Sequence, residues 1–207
     1  MAGSVGLMTD RLFHASLAKR LDDPERLRWL PPAIVLDALS IQPGDAIADI
    51  GAGTGYFSLP LAQAAGLSGQ VFAIDSQTEM LEHLQCKLDT GNISNIIPVR
   101  AKANSTGLPT ASCNLVFLAK VWHEIEDQAA VLMEAKRILK SRGKSLFWIG
   151  AQMWNPDLVL LSITVSVLQR LRTPCNLRDL LKSGRAMSGN IPGSFRESCP
   201  GRSNDSE

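Results

Sequence analysis

Long hydrophobic runs are missing from this chain, and so is any excess of charge. The stretch Leu158 to Leu168 is apolar apart from Ser and Thr, but it falls well short of the roughly 20 residues that a membrane-crossing helix needs. Lys and Arg number 21 against 20 Asp and Glu, so no bulk field draws the chain to nucleic acid or to an anionic membrane. Cys86, Cys113, Cys175 and Cys199 show neither C-x-x-C nor Cys/His ligand spacing, which argues against a zinc site and against a disulfide framework. Asp10 and Arg11 interrupt the N-terminal apolar residues before a signal-peptide core can form. The expectation is a soluble, cytoplasmic protein with reduced thiols and no metal.

What is present is 207 residues of which 45% are hydrophobic, enough for one domain with a real core. Residues 1–40 read as a helical segment: Asp22-Asp23-Pro24-Glu25-Arg26 supplies a cap, a first-turn proline and acid at the positive helix end, and Pro31-Pro32 divides it from Ala33 to Leu39. From Pro43-Gly44-Asp45 short apolar runs alternate with amphipathic stretches. The runs Ala46 to Ile50, Val71 to Ile74, Ile96 to Val99, Leu115 to Ala119 and Leu146 to Ile149 predict buried strands. Tyr56 to Ala65, Gln77 to Thr90 and Asp127 to Leu139 predict helices. Strict alternation implies an α/β, doubly wound, mostly parallel Rossmann-like sheet with helices on both faces, because right-handed crossovers leave few other arrangements. Residues 41–150 form this domain; residues 151–207, rich in Ser, Gly, Arg and Pro after one apolar run, depart from the pattern and read as poorly ordered.

In a doubly wound sheet the ligand lies beyond the carboxyl ends of the strands. There the sequence has Asp49-Ile50-Gly51-Ala52-Gly53-Thr54-Gly55, between a strand and a helix. Glycines remove side chains and permit unusual backbone angles, so a ligand can approach the amides at the helix start. A dinucleotide fingerprint counted from Gly51 requires glycine at position 56, which is Tyr56; G-x-G-x-G is satisfied instead, and a nicotinamide or flavin cofactor drops to second place. Asp75 ends the second strand, where a carboxylate can accept from both hydroxyls of a ribose. The competing reading is a tight structural turn with Asp75 as a helix cap; the two features in register with the strands favour a nucleoside cofactor.

With these residues in view, IADIGAGTGYFSLPLA, VFAIDSQTEML, LPTASCNLVFLAKVWHEI and EAKRILK resemble successive motifs of class I S-adenosylmethionine (AdoMet)-dependent methyltransferases, over about residues 20–140. The resemblance is strongest to the small-molecule methyltransferase domains grouped with ubiquinone and menaquinone biosynthesis. It implies that Asp49 and the backbone of Gly51, Ala52 and Gly53 hold the methionine end of AdoMet, that Asp75 holds the ribose, and that Ser76 and Met80 lie beside ribose and adenine. Where the family carries an acid near the adenine amino group this chain has Lys102, which cannot accept a hydrogen bond, so the adenine falls to the Ala103 amide and apolar packing. Asn114 stands where the family has aspartate, a change that keeps a polar cap.

Methyl transfer from a sulfonium is an in-line displacement with a neutral leaving group, so alignment and exclusion of water can suffice and no catalytic residue is assigned. His123, just after the fourth strand, is the candidate base for an acceptor that must lose a proton, against a packing or capping role; His14 and His83 rank below it. Trp29, Leu30 and Pro31 either cover the pocket as a lid or pack on the sheet edge. Cys86 and Cys113 lack the third cysteine that a metalloid substrate would call for. The leading function is methyl transfer to a small-molecule acceptor; the alternatives are a catalytically silent AdoMet-fold binding protein and, behind it, a nicotinamide-dependent oxidoreductase. The family continues after Ile138-Leu139-Lys140 with Pro-Gly-Gly, a strand ending in Asp-Trp and a proline-rich stretch, and its sheet ends in a strand hairpin. This chain has Ser141-Arg142-Gly143, and permitted codons for Ile149 to Ser166 read from their third bases spell such an ending. The chain from about Ser141 is accordingly read as out of the family's frame, which makes it a damaged methyltransferase lacking the last two strands; the alternative is a genuinely divergent C-terminus.

Overall fold

The computed structural model describes residues 13–148 and 160–164. Pro43-Gly44-Asp45 turns the N-terminal segment into the first strand, Gly44 at φ +90° donating its amide to the Ala65 carbonyl at 2.9 Å. The strands are β1 (Ala46–Ile50), β2 (Gln70–Asp75), β3 (Ile96–Arg100), β4 (Cys113–Ala119), β5 (Leu139–Trp148) and β6 (Leu160–Thr164). They form one sheet in the order β3-β2-β1-β4-β5-β6, parallel from β3 to β5 and antiparallel between β5 and β6. The order reverses between β1 and β4, and that switch opens the cleft described below.

The helices are α1 (Ala18–Leu21), α2 (Arg26–Trp29), α3 (Pro32–Leu39), α4 (Ser58–Ala65), α5 (Thr78–Gly91) and α6 (Gln128–Ile138). Alternate residues of each strand feed two cores. Ile47, Val71, Ala73, Leu115 and Phe117 pack with α3, α4 and α5, and Phe57 meets Phe117 edge-on at 5.1 Å between ring centroids. Ala48, Ile50, Ile74, Val116 and Leu118 pack with α6 and Trp122 on the opposite face. Burial on both faces explains why these runs read as almost continuously apolar.

The described part of the N-terminal segment forms α1, α2 and α3, interrupted at Asp22-Asp23-Pro24 and at Pro31-Pro32. Three expectations need correcting. The helix after β1 starts at Ser58, not Tyr56, since the glycine turn runs two residues further. β5 begins at Leu139, directly on the end of α6, well before Leu146. Gly143 permits this close pairing: a Cβ there would lie 3.0 Å from the Asn114 carbonyl oxygen. The apolar run after residue 158 also supplies a strand, β6, where the sequence showed only a loss of pattern; the open edge of β5 offers it unpaired backbone groups. Of the tail reading for residues 151–207, all but Leu160–Thr164 lies outside the described residues.

Candidate cofactor site

β1, β2 and β4 end side by side, with Ile50 paired to Ile74 and to Leu118, so the loops that follow them share one rim. A cleft of about 760 Å³ opens there. Asp49, Gly51, Ala52, Gly53, Asp75, Ser76, Met80 and Ala103 all line it. Residues as far apart in sequence as Asp49 and Ala103 thus share one surface, as the sequence reading requires.

Gly51, Gly53 and Gly55 have φ of +78°, +55° and +85°, so each sits where a side chain is strained. Space adds to this at Gly51, where a Cβ would fall 2.7 Å from Val121, and a Cβ on Gly55 would displace the end of the Leu84 side chain. The amides behave differently from the expectation. Gly51 and Ala52 both donate to the Ile74 carbonyl, at 2.8 and 3.0 Å, and Gly53 donates to Asp75 Oδ2 at 2.9 Å. The loop is therefore stitched to the end of β2 and offers a ligand its side-chain-free surface.

Asp75 joins loop and helix: its other oxygen accepts from the Gln77 amide at 2.9 Å, ahead of α5. Burial pushes its pKa up, against these amide bonds, which favour the charged form. Asp49 is buried under the loop, where Ser58 Oγ donates to it at 2.6 Å. Burial raises its pKa to about 7, the Ser58 bond opposing and the neighbouring Asp75 adding to the rise. A cation placed beside Asp49 would return it to its charged form. Met80 is buried, Ala103 half-buried, and Lys102 is exposed on the same rim.

The sequence reading offered Trp29, Leu30 and Pro31 as the N-terminal cover, and the described residues that line the cleft are others. Phe13, Arg20, Leu21 and Arg26 line the cleft, whereas Leu30 is buried in the core and Pro31 is not part of the wall. Gln77 holds the segment by accepting from the Ala15 amide at 3.1 Å and donating to the Phe13 carbonyl at 2.8 Å. The Phe13 amide reaches Glu124 Oε2 at 3.2 Å. Asp22, read as a helix cap, instead ties the segment to the glycine loop: Thr54 Oγ1 donates to it at 2.7 Å and Lys87 Nζ at 2.6 Å. Arg26 is buried with its guanidinium 4.0 Å above the Tyr56 ring, and Tyr56 Oη donates to the Leu30 carbonyl at 2.6 Å. Nothing in the local pattern of Pro24-Glu25-Arg26 marks Arg26 as more than a helix-start residue.

His123 is the only histidine lining the cleft among the described residues; it is exposed on a single 3-10 turn, with Nε2 3.6 Å from Glu124 Oε1. His14 and His83 are exposed and lie outside the wall, and so do two cysteines, Cys86 on the surface of α5 and Cys113 buried in β4. Among the described residues no group of three or more His, Cys, Asp or Glu is placed to hold a metal, and no helix is long and apolar enough to cross a membrane.

Beyond Ala103 a clamp fixes the wall. Glu134 on α6 accepts from the Thr106 amide and hydroxyl at 2.8 and 2.6 Å and from Arg137 at 2.7 and 2.8 Å. Arg137 also donates to the Leu108 carbonyl. The Arg137 bond leads in holding the Glu134 carboxyl down at about 2.

Residues 48–147 match the family model described as a methyltransferase domain. An uncharacterised 37.1 kDa protein of a Streptomyces fradiae transposon is 28% identical over 76% of this chain and 48% of its own length. A ubiquinone/menaquinone biosynthesis C-methyltransferase of Shewanella oneidensis is 29% identical over 54% of this chain and 45% of its own. This chain thus spans about half the length of the curated relatives it matches. A crystal structure of a SAM-dependent methyltransferase from Aquifex aeolicus superposes with a TM-score of 0.65 at 25% identity, covering 84% of this chain and 88% of that one. A methyltransferase-domain model thus matches just under half of this chain, its sheet superposes on that of a SAM-dependent methyltransferase, and AdoMet is the cofactor that this likeness implies.

Proposed function

We propose that the chain transfers the methyl group of AdoMet to a small-molecule acceptor. The observation that carries this reading is the convergence of Asp49, the glycine loop, Asp75, Ser76, Met80 and Ala103 on one cleft at the switch point of the sheet. The residues fit the cofactor. Asp49 is a buried carboxylate poised to ionise beside an ammonium, Asp75 is an acceptor for ribose hydroxyls, and Met80 is an apolar wall for adenine. Bound AdoMet supplies an electrophilic methyl on a sulfonium that leaves neutral. The protein's part is to orient that methyl against the acceptor and keep water out, which the N-terminal segment across the rim supports. Where an acceptor must lose a proton, His123 on the rim is the group placed to take it. The acceptor enters from the open side of the cleft, where Lys102, His123 and Glu126 are exposed.

A nicotinamide cofactor finds no support in the matched family, and Tyr56 occupies the position where a dinucleotide loop needs glycine. Calorimetry tests the cofactor assignment: Asp75→Ala is expected to weaken AdoMet binding by about 1.5–3 kcal/mol, and Gly53→Val to abolish it by filling the loop surface. Unchanged affinity in both variants refutes the assignment. Release of S-adenosylhomocysteine with small acceptors distinguishes an enzyme from a silent binding protein.

A further inference from the structure

We infer that Arg26, supported by Lys120, is the subsite for the α-carboxylate of the cofactor's amino-acid end. The inference rests on AdoMet being the cofactor and adds a specificity-determining residue that the glycine loop and Asp75 do not supply.

Arg26 is only 8% exposed, yet its side chain has a thin set of partners. One terminal nitrogen donates to the Leu21 carbonyl at 3.0 Å, and one face of the guanidinium rests on Tyr56. Nε is buried with no hydrogen-bond partner. Among the described residues no carboxylate forms an ion pair with it. Asp22 lies near enough to favour the charge, but its Oδ1 is taken by Thr54 and Lys87 and it makes no ion pair with Arg26; a buried guanidinium without a paired anion is costly, and an apolar side chain of similar length would pack on Tyr56 without that cost. The charge therefore calls for an anion, and Arg26 is part of the cleft wall that would receive it.

Lys120 brings a second cation to the same wall. Its backbone is in the left-handed region at φ 57°, immediately after β4, a conformation that a non-glycine residue rarely holds without cause. Burial and the nearby Arg26 charge both depress its pKa, so the two cations share one neighbourhood. Arg26 lies against Tyr56, directly after Gly55, and Lys120 lies directly before Val121, which packs on Gly51. Asp49 precedes the same loop. An α-amino acid carries its ammonium and carboxylate on a single carbon, so its site must bring an acid and a base together. Asp49 before Gly51 to Gly55, and Arg26 with Lys120 on the wall of the same cleft, provide that pairing; the acids Glu124, Glu126 and Asp127 line the wall too, on the segment after Val121.

The test compares two nucleosides that share adenosine and a thioether, S-adenosylhomocysteine, which has the amino-acid end, and 5′-methylthioadenosine, which lacks it. Calorimetry on the full chain should show tighter binding of S-adenosylhomocysteine by the parent. Arg26→Gln should reduce that affinity about 10- to 100-fold while leaving methylthioadenosine unchanged, with Arg26→Lys recovering part of the loss. Lys120→Gln, away from the Tyr56 contact, should reduce the same preference by a smaller factor and guards against a folding defect in the Arg26 variants. Equal losses for both nucleosides, or no loss for S-adenosylhomocysteine in either Gln variant, overturns the subsite. A parent that binds both nucleosides equally well overturns it too while leaving the cofactor assignment standing; a parent that binds neither removes the assignment itself.

Discussion

The four strands that meet at the cleft and the two that close the sheet are built on different terms. β1, β2, β3 and β4 each carry a short apolar run and lie in register beside a parallel neighbour, and the residues just past the ends of β1, β2 and β4 are held by specific bonds. β5 grows straight out of α6 and includes Lys140, Ser141, Arg142, Gly143 and Lys144; its pairing with β4 shifts register between Cys113 and Leu115, and its outer partner runs antiparallel. The ligand end thus depends on local sequence at every step, while the far edge is shaped by what the exposed edge of β5 will accept. Cofactor binding and the completeness of the sheet are for this reason separable properties, and each can be perturbed alone.

The frame reading would sharpen that separation most. The coding DNA is expected to encode, in the neighbouring frame beyond codon 141, an apolar strand ending in Asp-Trp followed by a proline-rich stretch. A chain read in that frame is expected to gain stability on the order of several kcal/mol from a completed edge, measured by denaturant unfolding, with little change in AdoMet affinity. An early stop, or an unrelated sequence in that frame, refutes the idea.

Gly51→Val attacks the other region. It places a β-branched residue at φ +78° and a Cβ 2.7 Å from Val121, so the chain is expected to lose about 3 kcal/mol, combining backbone strain with overpacking. AdoMet binding should vanish as well. A variant that unfolds at the parent's denaturant midpoint would show that the loop is not fixed by these contacts.

Asp49→Asn trades stability against binding. The folded protein holds the Asp49 proton up to about pH 7, whereas the ordinary value is 3.8. Between those values the folded state binds more protons than the unfolded one, so parent stability falls as pH rises, by up to roughly 1.4 kcal/mol per pH unit, and levels off above about 7. The Asn variant lacks this slope and should be the more stable of the two above neutrality. Parent affinity for AdoMet should strengthen as pH rises through about 7, as the carboxylate becomes free to meet the ammonium, and the variant should bind weakly at every pH. Denaturant midpoints and calorimetry either side of neutrality check both signs; a variant less stable than the parent above neutrality contradicts the burial argument.

The doubly wound sheet and the cofactor loop were legible because their signals are local. Apolar runs mark β1 to β4, buried in β1, β2 and β4 and half-exposed in the edge strand β3, glycines mark positive φ, and Asp75 stands at a strand end. Arg26 and Asp22 were not legible as site residues, since their roles are set by contacts with Tyr56 and Thr54 on a distant part of the chain. Nor was β6, whose apolar run carries no sign of the strand it pairs with. Lys120 carries no mark in the local sequence; its backbone angle and its place near Arg26 set it apart only in the folded chain.

The junction of the two regions offers the finest test, and its effect is the smallest. Asn114 Oδ1 accepts from the Ala46 amide at 3.0 Å and from Lys140 Nζ at 2.8 Å, so a single oxygen links the start of β1 to the beginning of β5. Neither bond uses the side-chain nitrogen, and both donors favour a charged acceptor, Lys140 most of all. Asn114→Asp is therefore expected to stabilise the chain by about 0.5–1 kcal/mol near neutral pH, a modest gain because the group is only half-buried. The gain should shrink as pH falls through the carboxylate range and as salt is raised, and it should disappear in a background of Lys140→Met. Urea midpoints across this set decide the matter. If Asn114→Asp lowers the midpoint near neutral pH, the carboxamide is the better acceptor here, and β5 is joined to β1 by geometry with no deficit of charge.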